Sequence, residues 1–543
     1  MAMSQPFIVA CQGGLNTNFT ELAMLSQPGL ATKLKNFEPD PDGGYRRIKG
    51  YTPYGDTRPF GGTDTAILGV LAYADGVIVT GANDIKFSND GTNWIKINKT
   101  SVASSGDNYV TFNGRSDLSR AGQKQTSFTF FEDNVDYGKV VICDGDNPPY
   151  LFYMTGLGAL STRTFFAQTL AITSHVGAGT PDNPTCAVYH KTMLVAAGVS
   201  SAPNSIAYTT FDADAPDVTT SSSSNVIAVD DAVVALKAFR EDIIIFCKNS
   251  IHRLRNVHDS STIAVVPITK NVGCLSAHSI QEVGGDLVFL APDGIRTLAG
   301  TAKIGDTELS TVSRNIQSII TQLTRNIGSK VITSVVLRNK NQYRLFYSTT
   351  ATSNLDSEGV IGTLTGNGYS WAQTVGIQAH GVDSAFDNDR TQNVYHGDRK
   401  GYIYNHDEGN AFYEAGVAAN IEAEYVTPSL DCGDLGTKKT FHYVKVSLSP
   451  EGTVSPTLRL RYDYEDVDLL QPPDYILSDV PVPSAFGAIN FGDGIFGGTR
   501  DPSIRQSVQG SGDVLNLKLS SNDQKAPYAI NGYYINYVPE GRR

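Results

Sequence analysis

Short apolar runs alternate with polar turns through most of the first four hundred residues, and the same unit recurs. It is an apolar strand, a brief polar turn, and a second strand of alternating character. Val77–Thr80 passes through Gly81–Asp84 into Ile85–Ser88, and Val140–Cys143 through Asp144–Pro149 into Tyr150–Tyr153. Met193–Ala197 leads to Ile206–Thr209, Ile243–Cys247 to Ile251–Leu254, Leu287–Leu290 to Ile295–Leu298, and Val394–His396 to Tyr402–Asn405. A looser copy joins Tyr343–Tyr347 to Val360–Leu364. The hairpins recur roughly every fifty residues, the period of propeller blades. Asp-Gly at Asp75, Asp90, Asp144 and Asp293 and Asn-Gly at Asn113 and Asn367 supply hairpin turn chemistry. A further strand precedes several hairpins, as in Leu71–Asp75, Ala235–Asp242 and Ser279–Asp286. Three or four short antiparallel strands per unit predict an all-β chain built on a β-propeller of six or seven blades, over residues 61–415. A stack of Ig-like sandwiches would repeat at about one hundred residues instead.

Three stretches leave this rhythm. In Leu309–Leu323 the apolar positions Leu309, Val312, Ile316, Ile319, Ile320 and Leu323 fall three and four apart, which predicts an amphipathic helix packed on a blade edge. Ser310 or Ser313 is its expected cap. From 416 to 543, Ile421–Thr427, Phe441–Leu448, Leu458–Tyr464, Val514–Leu519 and Tyr533–Val538 alternate cleanly, as strands with one buried face do. A C-terminal β-sandwich-like domain is expected there. Residues 1–60 lack strong periodicity and read as an extended N-terminal arm that orders against a neighbour.

With 52 Gly and 26 Tyr but 5 Met in 543 residues, composition favours strands and turns. The net charge of −12 argues against a grip on nucleic acid phosphates. An acidic wall is nonetheless what a duplex needs if it is to pass without being held. Cys11, Cys143, Cys186, Cys247, Cys274 and Cys432 form no CxxC and sit mostly in apolar runs, so buried free thiols made in a reducing compartment are expected. No leader and no apolar stretch of bilayer-spanning length is read in the sequence.

The chemical motifs each have a plain structural reading. Ser88-Asn-Asp90-Gly91-Thr-Asn-Trp94 has the form of an Asp-box hairpin, whose acid caps its own turn. Gly492-Asp-Gly494-Ile-Phe-Gly497 matches GxGxxG, but the Gly-Thr-Arg-Asp-Pro502 that follows opposes the helix a dinucleotide site requires. Asp144-Gly-Asp146-Asn147 lacks the acidic series and closing Glu of a calcium loop. There is no HExxH, P-loop or GxSxG. The expectation is a chain that is not an enzyme, with no catalytic residues, metal or cofactor.

Several stretches resemble the tail nozzle, or tail tubular protein B, family of short-tailed bacteriophages and related virion stabilisation proteins. They are Gln12-Gly-Gly-Leu-Asn16 to Leu34-Lys-Asn-Phe37, Gly43-Gly-Tyr-Arg-Arg-Ile-Lys-Gly-Tyr51, Val141–Tyr150, His190–Gly198 with Pro203 and Tyr208, Gly273–Ser276 and Phe289–Ile295. The resemblance spans most of the chain and is weakest in the C-terminal domain. It implies a six-bladed propeller per subunit, a homo-hexameric ring below the portal and its tail adaptor or head-to-tail connector protein, and a channel through which the genome leaves. Tail fibres are further implied partners. The implied location is the virion tail, assembled in the host cytoplasm without a membrane span.

In that setting Arg46, Arg47 and Lys49 are the expected contacts to an adaptor or neighbour. Asp212, Asp214, Asp217, Asp383, Asp387 and Asp389 are the candidate channel-lining acids, with Asp463/Glu465/Asp466/Asp468 a further acidic cluster. For any such cluster a solvated face is the plain alternative. The competing function is a glycan-binding or glycan-cleaving propeller, tail-spike-like or sialidase-like, in which Trp94, Tyr369 and Trp371 would stack on sugars instead of anchoring blades.

Overall fold

The computed structural model describes residues 4–41, 43–61, 66–81, 84–96, 125–132, 135–156, 163–170, 183–210, 225–257, 259, 261–299, 311–325, 327–349, 353–387, 389–465, 471–477, 483–484, 495–496 and 503–542. The chain is a β-propeller joined to a β-sandwich. Six separate small sheets serve as blades, and the first four strands of a longer sheet stand among them in a further blade position.

In each blade the strands run antiparallel, and in all but the last they follow chain order from the axis outward. The first blade is Gly69–Tyr73, Gly76–Thr80, Ile85–Ser88 and Ile95–Lys96. The second is Ser127–Phe131, Lys139–Cys143, Tyr150–Thr155 and Thr164–Thr169. The third holds Cys186–His190, Met193–Val199, Ala202–Thr210 and Asn225–Ala228. Val233–Phe239, Asp242–Cys247, Ile251–Arg255 and Ala264–Thr269 make the fourth. The fifth has three strands, Gln281–Val283, Asp286–Ala291 and Gly294–Thr297. Lys330–Leu337, Gln342–Thr349, Glu358–Thr365 and Gly368–Val375 occupy the sixth position within the longer sheet. The last blade is Gly381–Phe386, Gln392–Gly397 and Ile403–His406, completed by the N-terminal strand Tyr51–Pro53.

All seven hairpins read in the sequence, the loose copy included, are the second and third strands of these positions. Their middle strands are buried on both faces because blades stack face to face; Gly76–Thr80, Lys139–Cys143 and Leu287–Ala291 are buried throughout. Apolar clusters fill the blade interfaces in succession. One lies between the first two blades around Ile78, Phe87, Phe152 and Phe165, and another between the fourth and fifth around Phe246 and Phe289. The last and first blades share Ile67, Val77, Val79 and Ile403, which closes the ring. Each fully buried side chain of this size contributes about 1.5–3 kcal/mol.

The expected helix forms as a short 3-10 turn, Arg314–Ile316, running into the α-helix Gln317–Thr324. Ile316, Ile320 and Leu323 turn inward, and the helix packs on Gly294–Thr297, on the outer side of the three-stranded blade. Ser313 does not cap it: its Oγ accepts the Ile295 N–H, a bond to the blade. Ser310 lies outside the described residues.

All five expected C-terminal strands form. Ile421–Val426, Leu515–Asp523, Thr457–Tyr462 and Tyr475–Ile476 continue the sixth blade's sheet through the arm strand Lys33–Lys35. Thr437–Pro450 and Tyr528–Arg542 lead the second sheet, with Phe37–Pro39, Tyr45–Arg47, Gln5–Ala10, Ser503–Ser507 and Ser511–Gly512. Both sheets contribute to one core containing Tyr425, Phe441, Leu458, Leu517 and Ile535.

The first sixty residues differ from the arm read in the sequence. They thread the chain's own sandwich, bridge it to the sixth blade, where Lys35 pairs with both Gln373 and Glu424, and then close the propeller. Their glycines and asparagines obscure periodicity because the segment supplies one short strand at a time to three sheets.

Candidate functional site

Two features gather polar chemistry: the axial cavity of the propeller and the buried clasp where the N-terminal segment meets the last two blades. The cavity encloses ≈ 190 Å³ and is lined from every blade position, by Val70, Ser127, Ala187, Lys237, Gln281, Ser334 and Asp383 among others. Its amides stitch blades together. Gln125 donates to the His380 carbonyl (2.7 Å) and Gln281 to the Ser334 carbonyl (2.8 Å), while Ser334 Oγ donates to the His278 carbonyl (2.7 Å). Burial pushes the His278 and His380 imidazoles down to about 4, so both are neutral near pH 7.

Asp383, one of the acids nominated from sequence, stands in this wall. Its Oδ2 accepts the Ala72 N–H (2.9 Å), and burial raises its carboxyl to about 6 against the opposing pull of backbone N–H groups and Lys237. Asp387 does not line the cavity. It caps the following turn, accepting from the Asp389 and Thr391 N–H groups at 2.9 and 2.8 Å, and Asp389 is exposed in that turn. Asp212, Asp214 and Asp217 lie outside the described residues. In the further cluster, Asp463 Oδ1 likewise accepts backbone N–H groups, of Asp513 and Val514.

The clasp engages the basic cluster, expected from sequence to contact an adaptor or neighbour, within its own chain. Arg46 binds Glu38 (2.8 Å) and Glu451 within the same chain. Arg47 is buried and donates to the carbonyls of Lys525 (2.8 Å) and Asp523 (2.8 Å). Lys49 is half-buried beside them. A cation on a strand that enters the sandwich serves its own fold, and linear sequence cannot show that. The residues that sequence reasoning missed are the partners. Arg344, 0% exposed, donates to Glu38 (2.8 Å), Asp407 (3.0 Å) and Gln342 (3.0 Å) and meets His406 Nε2 at 2.9 Å. Lys340 joins Glu38 (2.9 Å) to Asp407 (2.7 Å). Burial alone would raise the Glu38 carboxyl, but Lys340, Arg344 and Arg46 together hold it below the usual range. Five charges thus lock the arm to the last two blades.

The remaining motifs are structural. Asp90 accepts from the Thr92 and Asn93 N–H groups, which lower its carboxyl to about 2, and Trp94 Nε1 donates to the Gly91 carbonyl (3.1 Å). Asp144 caps its blade turn in the same way, accepting from Asp146 and Asn147. Trp371 is fully buried, donates to the Val312 carbonyl (2.8 Å) and stacks on Tyr369. Of Gly492–Gly497 only Ile495–Phe496 is described, a two-residue strand pairing with Pro483–Ser484. Ser250 Oγ sits 3.0 Å from His252 Nε2, but both are buried and Asp231 contacts the serine instead of orienting the imidazole. All six cysteines are buried and free, and burial raises Cys186 and Cys274 to about 11 and Cys247 to about 12. Among the described residues no cluster of His, Cys, Asp and Glu could hold a metal ion, and no helix is long and apolar enough to cross a membrane.

Topology and cavity together define a β-propeller closed by its own N-terminal strand. No protein-family model matches the chain, and no curated protein matches it. Among solved structures it is similar to the extracellular domain of a one component system from B. thetaiotaomicron, at 10% identity and TM-score 0.41 over 81% of this chain. This chain spans 57% of that structure's length. It is also similar to the AfRom2 CNH domain (8% identity, TM-score 0.36, 66% of this chain and 100% of that one) and to Hsv2 of Kluyveromyces lactis (11%, 0.28, 57% and 98%). The fold assignment rests on the strand order and blade interfaces of this chain itself.

Proposed function

We propose that the chain is a non-enzymatic structural subunit of a bacteriophage tail nozzle, a ring of six copies below the portal and its adaptor that conducts the genome. One observation carries the reading: the N-terminal segments that resemble the nozzle family, residues 12–37 and 43–51, coincide with the residues that weave this fold together. Gly14 donates its N–H to Tyr45 Oη, which in turn donates to the Gly29 carbonyl. Asn36 bridges Val375 and Glu422, at 2.8 Å each. Tyr51, which opens the closing strand, donates to Gly376 and Tyr413. The N-terminal part of the resemblance therefore falls on the joint that turns propeller and sandwich into one unit.

Net charge supports the same reading. Walls of acidic subunits repel a duplex over about 8 Å at physiological salt and offer no counterion-releasing contacts to hold it. With Arg46 and Arg47 engaged internally, the reading assigns neighbour contact to the exposed apolar residues of the N-terminal segment, Ile8 (69% exposed) and Leu22 (72%). Light scattering on the purified full-length chain should find a six-copy species, and Ile8→Asp with Leu22→Asp should reduce it to monomer. A monomer at every concentration, with and without the adaptor, would reject the proposal.

A further inference from the structure

The outer face of the sandwich's second sheet carries two cations that the fold leaves without a counter-charge. Val9, Val444, Val446 and Ile535 point into the core, so the residues alternating with them face solvent. Strand register aligns Ile8, Tyr534, Lys445 and Arg505 in one row across four adjacent strands, Gln5–Ala10, Tyr528–Arg542, Thr437–Pro450 and Ser503–Ser507. Neither this row nor the two beside it, which start at Pro6 and Ala10, contains a carboxylate. The cations lie over rings of the same face. The Arg505 guanidinium is 4.1 Å from the centroid of Tyr443, and Lys445 Nζ is 5.4 Å from that of Tyr534. The two rings are themselves stacked, 6.1 Å apart at 14°. Among the described residues neither cation forms an ion pair.

Cations steadied by rings lose little side-chain freedom when they meet an anionic surface, and Ile8, 69% exposed, extends the row with an apolar contact. With two positive charges on this face, the rest of a chain of net charge −12 carries −14 (−12 − 2). A second copy therefore brings an excess of carboxylates. Resting on the ring reading above, which gives Ile8 to neighbour contact, we propose that this face is one half of the contact between copies, received by an acidic face of the next subunit. The contact is not two-fold, because pairing the face with itself would set its cations against each other. It is heterologous, head to tail, the kind that closes into a ring where the rotation permits. Two cations are too few to hold a nucleic acid backbone against the repulsion of an acidic chain.

The test is light scattering of the full-length chain beside Lys445→Glu with Arg505→Glu, both outside the core. At about 0.1 M salt, where charges act over about 10 Å, the wild type should form the six-copy species. The variant should need at least about tenfold more protein to assemble. Raising salt to about 1 M, which cuts that reach to about 3 Å, should weaken assembly of the wild type and not of the variant. Lys445→Gln with Arg505→Gln should fall between the two, and it reads the same effect where charge reversal disturbs the sheet. Assembly equal in the wild type and both variants would overturn the proposal and leave the ring reading standing. A wild type that stays monomeric would overturn both. Variants that assemble normally but lose affinity for oligo-dT would assign the face to a nucleic acid and overturn the proposal as well.

Discussion

Glu38 shows how much of this fold hangs on single side chains. Its carboxylate is 2% exposed and receives Arg46, Lys340 and Arg344, which belong to the arm and the sixth blade. Removing one partner of a buried ion pair typically costs about 3–5 kcal/mol, because the other charge stays buried without compensation. Glu38→Ala should therefore lower stability by about that amount in chemical denaturation, whereas Glu451→Ala, at the exposed end of the network, should cost under about 1 kcal/mol. Titration belongs to the same scale. His278, His380 and His396 are held by burial to about 4, about 4 and about 3, below the 6.5 of an exposed imidazole. The unfolded chain thus binds protons first, and the stability these residues contribute is complete above pH 6.5 and lost as pH falls toward 4. Asp383, raised to about 6, acts in the opposite sense, its contribution growing as pH falls from 6 to the unfolded value of 3.8. Three groups outweigh one, so the urea midpoint should fall steadily from pH 6.5 to 4. Asp383→Asn should raise it above pH 6. A midpoint flat over that range would show that the imidazoles are not buried as described.

At the scale of elements, hairpins were legible and closures were not. An apolar run, an Asp-Gly turn and a second run identify two strands from local information, which is why all seven middle hairpins, five sandwich strands and the helix can be read. Tyr51–Pro53 cannot be read that way. It pairs with Ile403–His406 some 350 residues later, and three residues have no period to display. The clasp is illegible for the same reason, since Glu38, Arg344 and Asp407 are ordinary charged residues until the fold brings them together. Asp383 was nominated as one of a run of acids, yet only its position on the inner strand Gly381–Phe386, facing the propeller's axial cavity, separates it from the turn-capping Asp387. The closing strand makes its own prediction. At Gly50 an added Cβ would lie 1.9 Å from the Ala411 carbonyl oxygen. Gly50→Ala should displace Tyr51–Pro53 and expose Ile403–His406 to hydrogen exchange while the inner blades keep their protection. Gly43→Ala, next to nothing within 4 Å but at φ +102°, should cost only local strain and leave the last blade closed.

For the whole molecule, the arm converts two β domains into one body. The propeller's sixth blade and the sandwich share a nine-stranded sheet through Lys33–Lys35, and the same segment then seals the ring of blades. Such a body resists flexing about a linker, which suits the proposed ring subunit, held in place while a charged polymer moves past it. Its acidity would then act as a lining that repels and never captures. Electron microscopy of the purified chain, with and without the proposed adaptor, tests this most directly. The account predicts six-fold rings around an open passage wide enough for duplex DNA, each subunit showing a disc-shaped propeller with the sandwich fixed beside it. Isolated particles in both samples, or rings with the passage closed by protein mass on the axis, would contradict it.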